Sequence, residues 1–132
     1  MARYYRLDEA NERLAELRPM LEGLRADRKT VAELQQKIRD ARAQNGSAGH
    51  AGEVVRLENE MRQTVARMKQ SVDKIDEWGV ALRDIGTGLI DFPALTSGRP
   101  IWLCWRLGEE GINWWHEADR GFDERRRLTE LS

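Results

Sequence analysis

Apolar residues recur at alternating steps of three and four along residues 7–41, and charged residues fill most positions between them. The stripe consists of Leu7, Ala10, Leu14, Leu17, Leu21, Leu24, Val31, Leu34, Ile38 and Ala41. Such spacing predicts a long amphipathic helix with a coiled-coil-like seam. Arg28 interrupts the seam, and Pro19 lies inside it. Because proline removes a helix hydrogen bond, we expect a bend or break near Arg18.

A second stripe of the same period follows a short polar segment. It consists of Val54, Leu57, Met61, Val65, Met68, Val72, Ile75 and Trp78. The segment between the stripes, NGSAGHAG at residues 45–52, is rich in glycine and predicts a loop at about 44–52. The two stripes therefore predict an antiparallel helical hairpin over residues 8–79. In such a hairpin Trp78 lies opposite Arg18, so residues 8–18 need another partner, which we expect to be the C-terminal module.

After Gly79 the period changes from helical to alternating. Residues 80–85, 88–92 and 101–106 read as strands, joined by a Gly-Thr-Gly turn and by a loop at 94–100. Residues 113–117 fit a fourth strand or a short helix, and residues 123–132 resemble a solvated tail. The expected fold is α+β: one domain over residues 1–132, with an antiparallel sheet of three to four strands in a β module at 80–122.

Both faces of the third predicted strand are largely apolar. One face carries Ile101, Leu103 and Trp105, and the other carries Trp102 and Cys104. The helices can cover only one of these faces. We therefore expect a homodimer that buries the second face. The candidate interaction surface consists of Trp102, Trp105, Arg106, Trp114 and Trp115.

Composition argues against several classes of protein, including nucleic-acid-binding, membrane and secreted proteins. The 22 basic residues nearly cancel the 23 acidic residues, which argues against a nucleic-acid partner. No apolar run has the roughly 20 residues that a transmembrane helix needs, and the N-terminus lacks the apolar core of a secretion signal. One cysteine cannot form an internal disulfide. These features together predict a cytoplasmic protein without a membrane partner.

Three long segments resemble a known family. They are YYRLDEANERLAELRPMLEGLR, GVALRDIGTGLIDFPAL and IWLCWRLGEEGINWWHEADRGF. The chain resembles the bacterial proteins of DUF2203 over nearly its whole length, including the glycine-rich loop with a histidine. The resemblance implies no activity, because that family is named for the lack of an assigned function. The tail GFDERRRL departs from the GFAGRRP-like ending of the family.

Thiolate, imidazole and carboxylate groups provide the candidate chemistry. Cys104, His116 and His50 are candidate metal ligands, with Asp91 or Glu109 as carboxylate partners for a divalent ion such as zinc. No pair of these residues has a recognised ligand spacing, so a shared site depends on strand register. His50 belongs to the far end of the hairpin, roughly 40 Å from the sheet at about 1.5 Å of rise per residue.

Catalytic interpretations of the same residues have weaker support. Asp91 and Glu109 could act as general acid and base only if they faced one pocket. Cys104 could act as a nucleophile only beside a base such as His116. The leading hypothesis is therefore a homodimeric interaction or assembly module without enzymatic activity. The alternative is a metal-binding protein, or a metal-dependent enzyme, that uses Cys104 and His116 with a carboxylate.

Overall fold

The computed structural model describes residues 3–44 and 48–131, except for the side chains at 48–50. Two helices, α1 (Leu7–Ala43) and α2 (Ala48–Glu77), precede a five-stranded antiparallel sheet in the order β1-β2-β3-β4-β5. The strands are β1 (Ala81–Asp84), β2 (Leu89–Thr96), β3 (Arg99–Arg106), β4 (Trp114–Glu117) and β5 (Arg126–Arg127). The α+β prediction is confirmed, with one strand more than the upper count expected. Neither helix, over the described residues, is long and apolar enough to cross a membrane.

Helix α1 runs through Pro19 without a break, so of the bend or break expected near Arg18 the break is wrong. Leu17 and Leu21, on either side of the proline, are both fully buried. Their burial stabilises the helix at the point where proline removes one hydrogen bond. The helix begins at Leu7, where the Arg6 amide donates to Glu9 Oε1 at 2.9 Å.

The seam of α2 differs from the predicted stripe at one position. Thr64 is only 4 % exposed, whereas Val65, which the stripe placed in the seam, is 48 % exposed. The steps from Leu57 to Met61 to Thr64 keep the three-four spacing. Thr64 tolerates this apolar position because its hydroxyl donates to the Glu60 carbonyl at 3.0 Å.

The predicted loop at 44–52 is shorter than expected, because α2 already begins at Ala48. Residues 45–47 lie outside the described part of the chain. Two alanines, Ala48 and Ala51, favour helix in this segment, and Gly52 costs only about 1 kcal/mol relative to alanine within it.

The start of α1 packs against the sheet module, as predicted. Leu14 and Leu17 belong to the same buried cluster as Phe92 and Trp105 of the sheet. Arg13 lies over the Trp78 ring at 4.3 Å, which places the end of α2 beside this part of α1. The Ile112 amide donates to the side chain of Asn11, also in this part of α1, at 3.0 Å.

Strands β2 and β3 are longer than predicted, and the expected loop at 94–100 is instead a two-residue turn. Ser97 and Gly98 both have positive φ, of 50° and 77°, as a tight hairpin turn requires. Pro93 fits within β2 because β1 pairs with β2 only up to Asp91. Opposite Pro93 the Tyr5 amide replaces β1 and donates to the Pro93 carbonyl at 2.7 Å.

The C-terminal residues pair with the sheet module, which was not expected of a tail, although most side chains of residues 123–131 are exposed as predicted. Residues 113–117 contain a strand, one of their two predicted structures, and β5 pairs with this strand through Arg126 and Arg127. The Trp115 indole donates to the Arg127 carbonyl at 3.2 Å, and Leu128 packs against the core. These contacts depend on particular residues of β4. The charged composition of the C-terminal segment alone therefore gives no sign of them.

The sheet has an inner face against the helices and an outer face on the opposite side. The inner face carries the buried apolar side chains Ile90, Phe92, Ala94, Ile101, Leu103, Trp105 and Trp115. The outer face carries Asp91, Trp102, Cys104, Trp114 and His116, because side chains alternate along each strand. The outer face therefore contains the candidate chemistry.

Candidate functional site

Strand register brings three of the predicted site residues together on the outer face. Asp91 of β2 pairs directly with Cys104 of β3. His116 of β4 pairs with Trp102, two residues before Cys104, and so lies diagonally across from the cysteine. Three consecutive antiparallel strands thus each contribute one residue to what we call the Asp-Cys-His cluster, Asp91, Cys104 and His116.

The cluster is compact and hidden from solvent. One ligand atom from each residue, a carboxylate oxygen, Sγ and an imidazole nitrogen, lies within 4.8 Å of the other two. The residues are 3 %, 0 % and 2 % exposed, in the order Asp91, Cys104 and His116. Among the described residues no hydrogen-bond partner reaches Asp91 Oδ1, although this oxygen is buried. A buried carboxylate oxygen without a partner is costly, and it indicates a place for a further group.

The two ring nitrogens of His116 both face acceptors. Nδ1 lies 3.0 Å from the Glu117 carbonyl, and Nε2 lies 3.0 Å from Asp91 Oδ2. Because a carbonyl oxygen only accepts, Nδ1 must carry a hydrogen. Nε2 can then face an ionised carboxylate favourably only if it is protonated or if a cation lies between the two atoms. Burial lowers the pKa of His116. The hydrogen bonds to Asp91 and Glu117 and the charge of Asp91 raise this pKa by more than burial lowers it, so the net shift is upward.

Arg83 reaches the cluster from β1. Its Nε donates to Asp91 Oδ2 at 2.9 Å, and its guanidinium lies over the Trp102 ring at 4.8 Å. The register of β1 against β2 shifts between Leu82 and Asp84, so Arg83 lies in a bulge. Asp91 Oδ2 therefore interacts with both Arg83 and His116, whereas Oδ1 has no hydrogen-bond partner within the described residues.

Arg125 lies over the cysteine end of the cluster. Its NH1 is 4.0 Å from Cys104 Sγ, and two bonds of 3.1 and 2.7 Å fix its guanidinium to the Glu109 carboxylate. The guanidinium also stacks over the rings of Trp114 and Phe122 at 4.4 and 4.2 Å. Burial raises the pKa of the Cys104 thiol to about 12; the Asp91 charge acts in the same direction, and Arg125 opposes it. In the absence of a metal the cysteine is therefore a neutral thiol.

Glu109, one of the predicted carboxylate ligands, does not join the cluster. Glu109 is bound to Arg125 and also accepts from the Arg106 amide at 2.8 Å, so it supports the site from outside. The weakly supported alternative of an acid-base pair needed Asp91 and Glu109 to face one pocket, and each carboxylate has different partners. The His50 side chain lies outside the described residues, so its proposed ligand role stays a prediction.

The predicted interaction surface divides between the two faces of the sheet. Trp105 and Trp115 are 1 % and 2 % exposed in the inner core, so they cannot form a surface. Trp102 and Trp114 are half-buried on the outer face, beneath Arg83 and Arg125. Arg106 is half-buried and stacks over Phe122 at 4.9 Å. Arg83 and Arg125 of the chain itself lie over the two outer-face tryptophans, so a dimer is not required to cover these rings.

Sequence reasoning missed Arg83 and Arg125 as members of the site. Arg83 had a weak signal, because alternation along β1 puts it on the same face as Ala81, which pairs with Asp91. Arg125 had none, because a run of three arginines in a polar tail usually indicates a solvated segment. Both arginines were identified only from their contacts in the folded chain.

The comparisons with known proteins place the chain in a family without assigning an activity. The comparison found no match among curated proteins and none among solved structures. A family model described as an uncharacterized conserved protein, DUF2203, matches residues 3–128, which is nearly the whole chain. The chain therefore belongs to the DUF2203 family.

Proposed function

We propose that the protein binds a divalent transition metal such as zinc at the Asp-Cys-His cluster. The observation that carries the proposal is the pairing of His116 Nε2 with the Asp91 carboxyl group at 3.0 Å while Nδ1 is held by a carbonyl. This arrangement requires a proton between Nε2 and Oδ2 or a cation at Nε2. A metal-bound histidine commonly donates its other ring N–H to a backbone carbonyl, as His116 Nδ1 does here.

The donor set and its spacing suit zinc. Zinc takes cysteine sulfur, histidine nitrogen and carboxylate oxygen, with bonds of about 2.0–2.3 Å. In a tetrahedral site such bonds place ligand atoms about 3.3–3.8 Å apart. The ligand atoms of the cluster lie within 4.8 Å of one another, so small side-chain movements suffice. Three protein ligands leave one coordination position open, as in catalytic zinc sites.

The charges around the cluster also permit a metal. A divalent ion would replace two protons, one on His116 Nε2 and one on the Cys104 thiol, so the net charge of the cluster would not change. Arg125, 4.0 Å from the sulfur, would stabilise the thiolate. The repulsion between this arginine and the metal is reduced because Glu109 binds the guanidinium through two hydrogen bonds.

Elemental analysis of the untagged protein, purified without chelators, tests the proposal. We expect about one transition metal per chain in the wild type and none in Cys104→Ser or His116→Gln. His50→Gln is the matched control, since the chain has two histidines, and it should retain the metal. Circular dichroism of each variant reports whether it folds.

A cobalt(II) titration of the wild type provides a test that needs no variant. Binding through Cys104, the one cysteine of the chain, would produce a sulfur-to-cobalt charge-transfer band in the near ultraviolet. A protein without metal that also shows no such band would overturn the proposal. Loss of metal from His50→Gln alone would place the site elsewhere.

The homodimer expected from the sequence is a second proposal, but at a different surface. Tyr4, Leu7 and Leu95 are 43 %, 43 % and 49 % exposed, and all three line one largely apolar groove of about 360 Å³. Large exposed side chains gathered at one groove favour a protein contact, and we propose a second copy of the chain as the occupant. Formation of this dimer would be the assembly function predicted from the sequence. The cytoplasmic location also stays a prediction.

Light scattering of the purified protein over a range of concentrations tests the dimer. We expect twice the chain mass in the wild type and a shift to the monomer in Leu95→Lys. Val55→Lys is a matched control, because Val55 is 55 % exposed on the hairpin, away from the groove. A wild-type monomer at high concentration would contradict this proposal and leave metal binding untouched.

A further inference from the structure

A pocket on the outer face leads from solvent to the Asp-Cys-His cluster. It has a volume of about 480 Å³, and Asp91 is the one member of the cluster that lines it. The other lining residues are Arg83, Leu89 and the segment 118–122, which ends at Phe122. Its volume is typical of sites for small molecules and too small for a folded partner.

The two arginines of this pocket can exchange their present partners for a ligand. Arg83 uses one of its five N–H donors on Asp91, and its side chain is 44 % exposed. Arg120 is 54 % exposed and pairs with Glu124 at 3.1 Å on the surface. An exposed ion pair of this kind contributes only about 0–1 kcal/mol, so a ligand can displace it at little cost.

The capacity of the pocket to hold an anion depends on the metal. Two arginines and two aspartates, Asp91 and Asp119, line it, so their charges balance. A divalent ion on Asp91 would leave the net charge of the cluster unchanged but would add an open coordination position that an anionic oxygen can fill. Leu89 and Phe122 add apolar wall on the same pocket. A pocket of this kind selects a small molecule that has an anionic group and an apolar part.

We infer that the metal-loaded protein binds a small organic oxyanion, a carboxylate or a phosphate ester, in the pocket lined by Asp91, Arg83 and Arg120. The anionic oxygens meet the open metal position and Arg83, and the apolar part lies against Leu89 and Phe122. This inference rests on the proposed metal site. Arg120, at the middle of the segment 118–122, contributes a second positive charge.

Isothermal titration calorimetry with phenyl phosphate and with benzoate tests the inference, because the two probes share a ring and differ in the anionic group. Both are titrated into zinc-loaded and into metal-free protein. We expect at least one probe to bind the zinc-loaded form more than about tenfold more tightly than the metal-free form. A stronger response to one probe identifies the class as phosphate or carboxylate.

Single-residue variants test whether the probe binds in this pocket. Arg120→Gln should weaken binding about five- to tenfold without changing the zinc content, because Arg120 is not a member of the cluster. Arg42→Gln is the matched control, since Arg42 is an exposed arginine paired with Glu58 on the hairpin, and it should bind as the wild type does.

The outcomes separate this inference from the metal proposal. Zinc binding without binding of either probe overturns the inference and leaves the metal site intact. Equal binding with and without zinc, or no effect of Arg120→Gln, also overturns it. If the protein binds no metal, the proposed metal-binding function is overturned, and the inference of a metal-dependent anion pocket is overturned with it.

Discussion

The two faces of the sheet are buried in different ways. The inner face meets the helices through apolar side chains such as Phe92 and Trp105, which are fully buried. The outer face has no second layer of helix or sheet in the described structure. Arginines stacked on aromatic rings cover it instead, above the polar Asp-Cys-His cluster.

This difference separates stability from chemistry. Apolar burial on the inner face contributes about 25 cal/mol per Å² and depends little on pH or ions. A buried polar cluster contributes only when every charge has a partner, and otherwise it costs free energy. The inner face therefore holds the fold together, and the outer face has a stability that protons or metals can change.

The largest expected effect is on the inner face. Phe92 is fully buried and meets the Tyr5 ring at 5.1 Å, so Phe92→Ala should reduce the free energy of unfolding by about 3–5 kcal/mol. Urea denaturation measures this loss. Leu95→Ala on the same strand, where Leu95 is 49 % exposed, is the control and should cost less than about 1 kcal/mol. Similar losses for the two variants would contradict the assignment of the core.

A smaller effect is expected from the outer face. Asp91→Asn removes the charge that Arg83 and His116 share, and should cost about 1.5–3 kcal/mol in metal-free protein. Denaturation with a chelator present measures it. Asp119→Asn is the control, because the Asp119 side chain is 83 % exposed. If Asp91→Asn is neutral, the cluster does not contribute to stability without its metal.

The pH dependence of the free energy of unfolding should also differ between variants of the two faces. The pKa of His116 is raised in the fold, so its contribution to stability is fully present below the unfolded value of about 6.5 and is lost as pH rises through the folded pKa. His116→Gln should therefore destabilise the metal-free protein more at about pH 6 than at about pH 9. Phe92→Ala should cost nearly the same at both values. A greater cost of His116→Gln at high pH would contradict the ion pair with Asp91.

The smallest effect concerns access to the outer face. Cys104 is fully buried, and burial raises the pKa of its thiol to about 12, so the folded metal-free protein should resist iodoacetamide at about pH 8. Mass spectrometry over time measures alkylation, and protein unfolded in guanidinium provides the reactive control. Rapid alkylation of the folded protein would show that the outer face opens to solvent.

Periodicity predicted the hairpin and the α+β class, because apolar spacing is a property of the local sequence. It grouped Ile101, Leu103 and Trp105 on one face of their strand but did not assign that face to the core. It failed where a long-range contact overrides the local preference. Pro19 stays helical because the leucines around it are buried, and Pro93 stays in a strand because Tyr5 pairs with it. At Thr64 the contact is local instead: its hydroxyl donates to the Glu60 carbonyl one turn earlier, so Thr64 takes the seam position predicted for Val65.

The sequence also identified Cys104, His116 and Asp91 as candidate ligands from their chemistry alone. It could not bring them together, because their distance depends on strand register, and a slip of one residue moves a side chain to the other face of a sheet. Nor could it assign Arg83 and Arg125 to the site, since arginines in a bulge and in a charged tail acquire partners only when the chain folds. Residue type and period thus determined the elements and the available chemistry, whereas tertiary pairing decided which groups meet.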